Sequence, residues 1–422
     1  MKKLITILLT VIMAVACCFG FTGCKDDSGD TFKVGLICLH GDSSTYDKNF
    51  IVAFKAACAA KGVEYIIKTD IPEEDACYTA AADLVDQGCD MIFANSFGHE
   101  AYIIKAAKEF RNVQFFHATG TKALVENLNN FHNAFASIYE GRYLAGVAAG
   151  LKLQAMEAAS QIPASKKDAG GNIKLGYVGA FPYAEVVSGY TSWFLGVRSV
   201  VPNVVMSVRY TSSWYDETAE RTAAQALIND GCALISQHAD SMGAPTACET
   251  AGIPNVAYNG STAEACPNTF IISSRINWQP YYEYIIDAVQ NNKRVEHNWS
   301  KSLGSAWGDG SVALTALGDA AAPGTEAYLN GVIAELKAGT RKVFDCSTFT
   351  VSNAGIGLTV DGDGHVTSYF ADVVDLGDYA GETQVIVTDP VTNITYFAES
   401  EFRSAPYFDL RIDGITEVTT SD

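Results

Sequence analysis

Short apolar runs alternating with helix-length segments, twice over, constrain this chain more than any other feature. From Lys33, KVGLICL is followed by NFIVAFKAACAAKG and VEYIIKT; CYTAAADLVDQGC precedes DMIFANS, and AYIIKAAKEF precedes VQFFHAT. Strands alternating with helices of this length predict a parallel, doubly wound sheet. After NAFASIY and the helical EGRYLAGVAAGLKL the pattern restarts, with KLGYVGAF, VVMSVRYT, CALISQHA and IPNVAYN as further strands. A chain of 422 residues is too long for one small core, so the repetition predicts two α/β lobes with a cleft between them. The polar stretch QAMEAASQIPASKKDAGGN reads as an exposed connection.

Beyond about Val343 the character changes. GIGLTVDGDGHVTSYFADVV and TQVIVTDPVTNITYFAESEF alternate like strands around Asp, Gly and Asn turns, which predicts a β-rich C-terminal extension of hairpins. DGDGH at 361–365 hints at a calcium loop, but such a loop needs Gly at its sixth position and the chain has Val366. A hairpin turn is the reading.

The first residues, MKKLITILLTVIMAVACCFGFTGC, set two lysines before an apolar run, the layout of an export signal. FTGC ends that run and resembles a bacterial lipobox, which makes Cys24 the expected site of lipidation; Cys17 in AVAC lies inside the run and is the weaker rival. No later segment is long and apolar enough to span a bilayer. The expectation is a protein anchored by lipid to the cell membrane on its extracytoplasmic face. Its formal net charge of -19 argues against nucleic-acid partners, whose phosphates it would repel. Eight cysteines remain beyond the leader and Cys24, without metal-ligand spacing and with nothing that demands disulfides.

Ligands of doubly wound sheets bind at the carboxyl ends of strands. The loops there hold Tyr46 and Asp47; Asn95, Ser96 and Phe97; Phe181, Pro182 and Tyr183; Trp214, Tyr215 and Asp216. Further along come His238, Asp240 and Ser241; Asn259; and Asn277 with Trp278. Almost every loop pairs an aromatic with a polar group, which suits a flat, partly polar small molecule. Single residues have plainer readings: Asp216 as an acid favourable to a helix N-terminus, Asp47 as the cap of a helix starting near Asn49, His238 as a structural histidine. Enzymes are poorly supported, since there is no GxSxG, GxGxxG or GxxxxGK[ST], although a dispersed Ser-His-Asp triad stays open. HADS at 238–241 lacks a third ligand of metal spacing, and no cofactor is expected.

The runs SFGHEAYIIKAAKEFRNVQFFHATG, SIYEGRYLAGVAAG, LGYVGAFPYAEVVSGYTSWFLGVRSVVPNV, SSWYDETAERTAAQALINDGCALISQHADS and INWQPYY resemble the BMP family of purine- and nucleoside-binding lipoproteins that serve ABC importers. The resemblance covers about residues 33–345. It implies a type I periplasmic-binding-protein fold, with lobe 1 at 32–137 and 277–310 and lobe 2 at 138–276 and 311–345; the β-rich extension at 346–422 is longer than the family pattern. A leader at 1–23 and a tether at 24–31 precede them. It further implies a monomer that takes a purine base or nucleoside by lobe closure and hands it to a permease. By motif, Trp214 and Phe97 are expected ring contacts and Asp240 the polar reader, while Asn277 and Trp278 are expected to line the pocket. Tyr46 stands where close members carry Trp, and Phe181 completes the set. A same-fold receptor for a sugar, a sensor component and an exported nucleoside hydrolase are the alternatives.

Overall fold

The computed structural model describes residues 31–300, 310–352, 355, 357–374 and 381–418, so the leader and Cys24 lie outside the described residues. The first repeat forms β1 (Lys33–Ile37), α1 (Thr45–Lys61), β2 (Glu64–Lys68), α2 (Asp75–Asp86), β3 (Met91–Ala94), α3 (Glu100–Glu109), β4 (Gln114–Ala118), a single turn α4 (Ala123–Glu126) and β5 (Phe131–Ala134). These strands pair in parallel, and β3 and β5 are buried along their whole length. Helices cover both faces of such a sheet, so its central strands β1, β3 and β4 are buried on both faces and do not alternate.

The second repeat begins with α5 (Ile138–Ala158), whose last turn takes in the start of the stretch read as a connection. It continues through β6 (Ile173–Gly179), α6 (Ala184–Arg198), β7 (Val204–Tyr210), α7 (Glu217–Asn229), β8 (Leu234–Gln237), α8 (Gly243–Ala251), β9 (Asn255–Tyr258) and β10 (Phe270–Ile276). Helices α5 and α6 touch backbone to backbone. A Cβ on Gly146 would lie 2.0 Å from the Trp193 carbonyl oxygen, and one on Gly196 2.1 Å from that of Tyr143. Only glycine at both positions permits this approach.

The chain then returns to the first lobe as α9 (Gln279–Gln290) and β11 (Asn298–Trp299), and comes back to the second as β12 (Val312–Leu314) and α10 (Thr325–Ala338). The first sheet runs β11-β5-β4-β3-β1-β2 and the second β12-β10-β9-β8-β6-β7, all parallel except β10 with β12. These are the two doubly wound lobes expected from the alternation.

The C-terminal segment forms β13 (Leu358–Val360), β14 (Val366–Val374), β15 (Gly381–Gln384), β16 (Ile386–Thr388) and β17 (Thr395–Phe397), paired as antiparallel hairpins. DGDGH is a turn: the Asp361 carboxylate accepts from the backbone of Asp363 and His365 at 3.0 and 2.9 Å, with Gly364 at φ +89°. The last strand, β18 (Ile415–Val418), does not belong to those hairpins. It adds parallel to β7 and extends the second sheet. All eight cysteines among the described residues are buried, free thiols.

Candidate functional site

In each sheet the strand order reverses once beside the first strand of its repeat: between β3 and β1, and between β8 and β6. At such a switch point neighbouring loops turn to opposite faces and leave a crevice. The two crevices face each other. Leu39, Tyr46, Asp47, Ser96, Phe97 and Thr119 from the first lobe, with Glu185, Trp214, His238 and Asp240 from the second, line one cavity of about 20 Å³. That is room for about one water.

On the first wall, Ser44 caps α1 by accepting from the Asp47 N–H at 3.1 Å, so the helix starts at Thr45 and its first turn carries Tyr46 and Asp47 into the cleft. Asp47 is therefore not the cap. It is 1% exposed, and its carboxylate accepts from Asn95 Nδ2 at 2.7 Å. Burial pushes its pKa above the usual carboxylate range, while the Asn95 and Ser44 hydrogen bonds pull the other way. The Tyr46 hydroxyl donates to the Asn95 carbonyl at 2.7 Å, and the Ser96 hydroxyl donates to Glu73 at 2.6 Å.

On the second wall, Asp216 stands at the start of α7, where the sequence placed it, and caps the helix by accepting from Ala219 N at 2.9 Å. This sets Trp214 in the preceding loop, where Phe181 meets it edge-on at 5.2 Å and Tyr183 lies at 6.0 Å. Tyr183 also stacks on Phe97 of the first lobe, 5.3 Å between centroids, a pair of exposed rings at the mouth of the cleft. Asp240 joins the lobes through its backbone, whose carbonyl accepts from Thr45 N at 2.9 Å. Its carboxylate is different: the residue is 5% exposed, and no described residue donates a hydrogen bond to that group. Burial first, then the charges of Asp47, Glu220 and Glu185, push its pKa well above the usual range. Beneath it Glu220 accepts from Ser241 N, and burial raises its pKa to about 7.

The cavity thus gathers Tyr46, Phe97, Trp214 and Asp240. Phe181 stands behind Trp214 and Tyr183 without lining it. Asn277 and Trp278, expected to line the pocket, do not line this cavity. Both follow β10, two strands away from the switch point, and Trp278 is 1% exposed, stacked on Phe50 at 4.5 Å within the first lobe's aromatic core. Asn277 is half-buried at the crossing, where its N–H donates to Ser311. Asp47, Ser96 and His238 were in view as loop residues, whereas Leu39, Thr119 and Glu185 were not. Ser44-x-x-Asp47 was the available signal for Asp47, since a hydroxyl three residues before an acid marks a helix start. Among the described residues, no group of three or more His, Cys, Asp or Glu could hold a metal ion.

The chain can now be set beside known proteins. It is 34% identical over 221 residues to a purine-binding protein of Brucella abortus, covering 52% of this chain and 55% of that one. It is 32% identical over 219 residues to TsgA13 of Haloferax volcanii, provisionally named an ABC transporter glucose-binding protein, covering 52% and 49%. The chain thus spans about half the length of these relatives. A solved ABC transporter solute-binding protein of Aeropyrum pernix superposes with a TM-score of 0.59 at 16% identity, over 74% of this chain and 93% of that one, which establishes the fold as that of periplasmic solute-binding proteins. The profile of the Bmp family, described as PnrA-like ABC transporter substrate-binding proteins, matches residues 41–308. That match covers well over half of the sequence: the chain belongs to the Bmp family of PnrA-like ABC transporter substrate-binding proteins, which bind solutes and are not enzymes.

Proposed function

We propose that the protein captures a purine nucleobase or nucleoside between its lobes and delivers it to an ABC importer, held through Cys24 at the extracytoplasmic face of the membrane. The observation that carries this reading is the Asp240 carboxylate, which lines the cavity beside Tyr46, Phe97 and Trp214 and takes no hydrogen bond from a described residue. A buried carboxylate left unpaired costs free energy that a bound N–H or O–H recovers. Trp214 on the second wall and Phe97 on the first supply faces for a flat ring. Pockets for drug-sized ligands measure roughly 300–1,000 Å³, so the arrangement at hand is closed upon itself and the lobes part to admit a ligand. The purine-binding relative from Brucella abortus supports the ligand class.

A sugar is the second reading, favoured by the name of the Haloferax volcanii relative. A thermal-shift panel on residues 25–422 separates the two, run against purine bases, their nucleosides, pyrimidine nucleosides and common sugars. A ligand at 100 times its Kd adds about 2.7 kcal/mol to stability, a visible rise in Tm. Purines alone should shift it. A shift with sugars only would replace the purine reading, and no shift with any of them would end it.

A further inference from the structure

Behind the second wall lies a fully buried arginine. Arg142 sits in the first turns of α5, with its guanidinium carbon 4.4 Å from the Tyr258 ring centroid. Its Nη2 donates to the Gln237 carbonyl at 3.2 Å and also to the Tyr177 hydroxyl. A guanidinium has no acceptor, so the Tyr177 oxygen accepts and its own proton is left for its other neighbour, His238 Nδ1, at 3.4 Å. With Nδ1 accepting, the ring proton rests on Nε2, and Nε2 faces Glu185 Oε1 at 3.5 Å. Both distances lie at the long end of hydrogen-bond geometry. The chain of donors ends on a carboxylate that lines the cavity, its side chain 10% exposed. Glu185 lies in the first turn of α6, where the helix dipole favours negative charge. Across the cleft, burial and then the Glu185 charge raise the pKa of Tyr46, so the carboxylate acts on the opposite wall.

We propose that the Arg142–Tyr177–His238 relay holds Glu185 as a fixed acceptor for the six-position of the base, a second ligand-reading carboxylate beside Asp240, so that the pocket takes 6-amino-purines and their ribosides in preference to 6-oxo-purines and anions. At the six-position an exocyclic amine donates to this group, whereas a carbonyl there meets it lone pair to lone pair. A site built to bond one group rejects the analogue that lacks it, because the buried partner is then left unpaired. The proposal rests on the purine reading above and assigns that reading its substrate class.

Calorimetric titration of the wild type with adenosine and inosine tests it, alongside Glu185→Gln and Tyr177→Phe. The wild type should bind adenosine at least tenfold more tightly than inosine. Glu185→Gln keeps the shape but adds an N–H donor, so it should erase or reverse that ratio, an outcome that general loosening of the site does not produce. Tyr177→Phe keeps the ring beneath Arg142 and removes the hydroxyl, and should reduce the ratio several-fold. A wild type without preference for adenosine, or a Glu185→Gln ratio equal to the wild type's, overturns the proposal while leaving purine capture standing. If the wild type binds neither nucleoside nor a free purine, the purine reading falls and this one with it.

Discussion

On the first lobe's wall of the cleft the polar groups are bonded within the protein: Asp47 to Asn95, Tyr46 to the Asn95 carbonyl, Ser96 to Glu73. On the second lobe's wall the Asp240 carboxylate has no donor among the described residues, and Glu185 faces His238 Nε2 at 3.5 Å. The two sheets share one winding, so the difference lies in the loops. A bonded wall is stable without ligand and offers it shape. A wall whose Asp240 carboxylate takes no protein donor keeps that acceptor for a ligand, and this is what makes its recognition selective.

Trp278→Ala tests the first lobe at its centre and carries the largest expected effect. Emptying that site in the aromatic core should cost about 3–5 kcal/mol in urea unfolding, with the ligand affinity of the folded fraction little changed. Affinity lost in step with Asp240 variants would instead return Trp278 to the pocket. Asp240→Ala on the second wall should act in the opposite sense. Ligand affinity should drop tenfold or more, since a charge-assisted hydrogen bond is worth about 1.5–3 kcal/mol, while the unliganded protein becomes more stable at neutral pH. An unchanged Kd would remove Asp240 from the site.

Asn95→Ala brings the second wall's condition to the first by leaving Asp47 buried without its amide partner, and should cost about 1–3 kcal/mol in the unliganded protein. If Asn95→Ala raised Tm, the contrast between the walls would collapse. Glu220, under the Asp240 loop, has its folded pKa raised from about 4.5 to about 7 by burial. Its stabilising contribution is complete below about 4.5 and is lost as pH rises through about 7. Glu220→Gln should flatten that part of the stability–pH curve, read as Tm from pH 4 to 8, and an unaltered curve would assign the slope elsewhere. Smallest is Phe97→Ala, which removes the stack on Tyr183 at the mouth. An aromatic pair of this kind contributes about 0.5–1.5 kcal/mol, so a several-fold faster ligand release in stopped-flow is the expected outcome.

Local chemistry was legible where the partners are close in sequence. Asp216 as a helix-start acid and Asp361 as a turn residue are each settled within about four residues, by Ala219 N in the first case and by the backbone of Asp363 and His365 in the second. Ser44 and Asp47 were just as local, but reading the helix from its apolar stripe placed its start near Asn49 and concealed the turn that aims Asp47 inward. Glu185 could not be singled out, because it is one of 48 acidic residues and its partner His238 comes from another strand.

The sequence by itself determined the alternation of strands and helices, its repetition, and hence which loops stand at the carboxyl ends of strands, because periodicity and helix caps are properties of neighbouring residues. Only the tertiary structure decided the order of strands in each sheet, and that order decides which of those loops meet. Trp214 follows β7, next to the switch strand β6, and reaches the cavity; Trp278 follows β10, beyond β9 and β8, and packs the core. Two tryptophans of similar local setting thus part company, because strand pairing joins segments far apart in the chain and leaves no local mark.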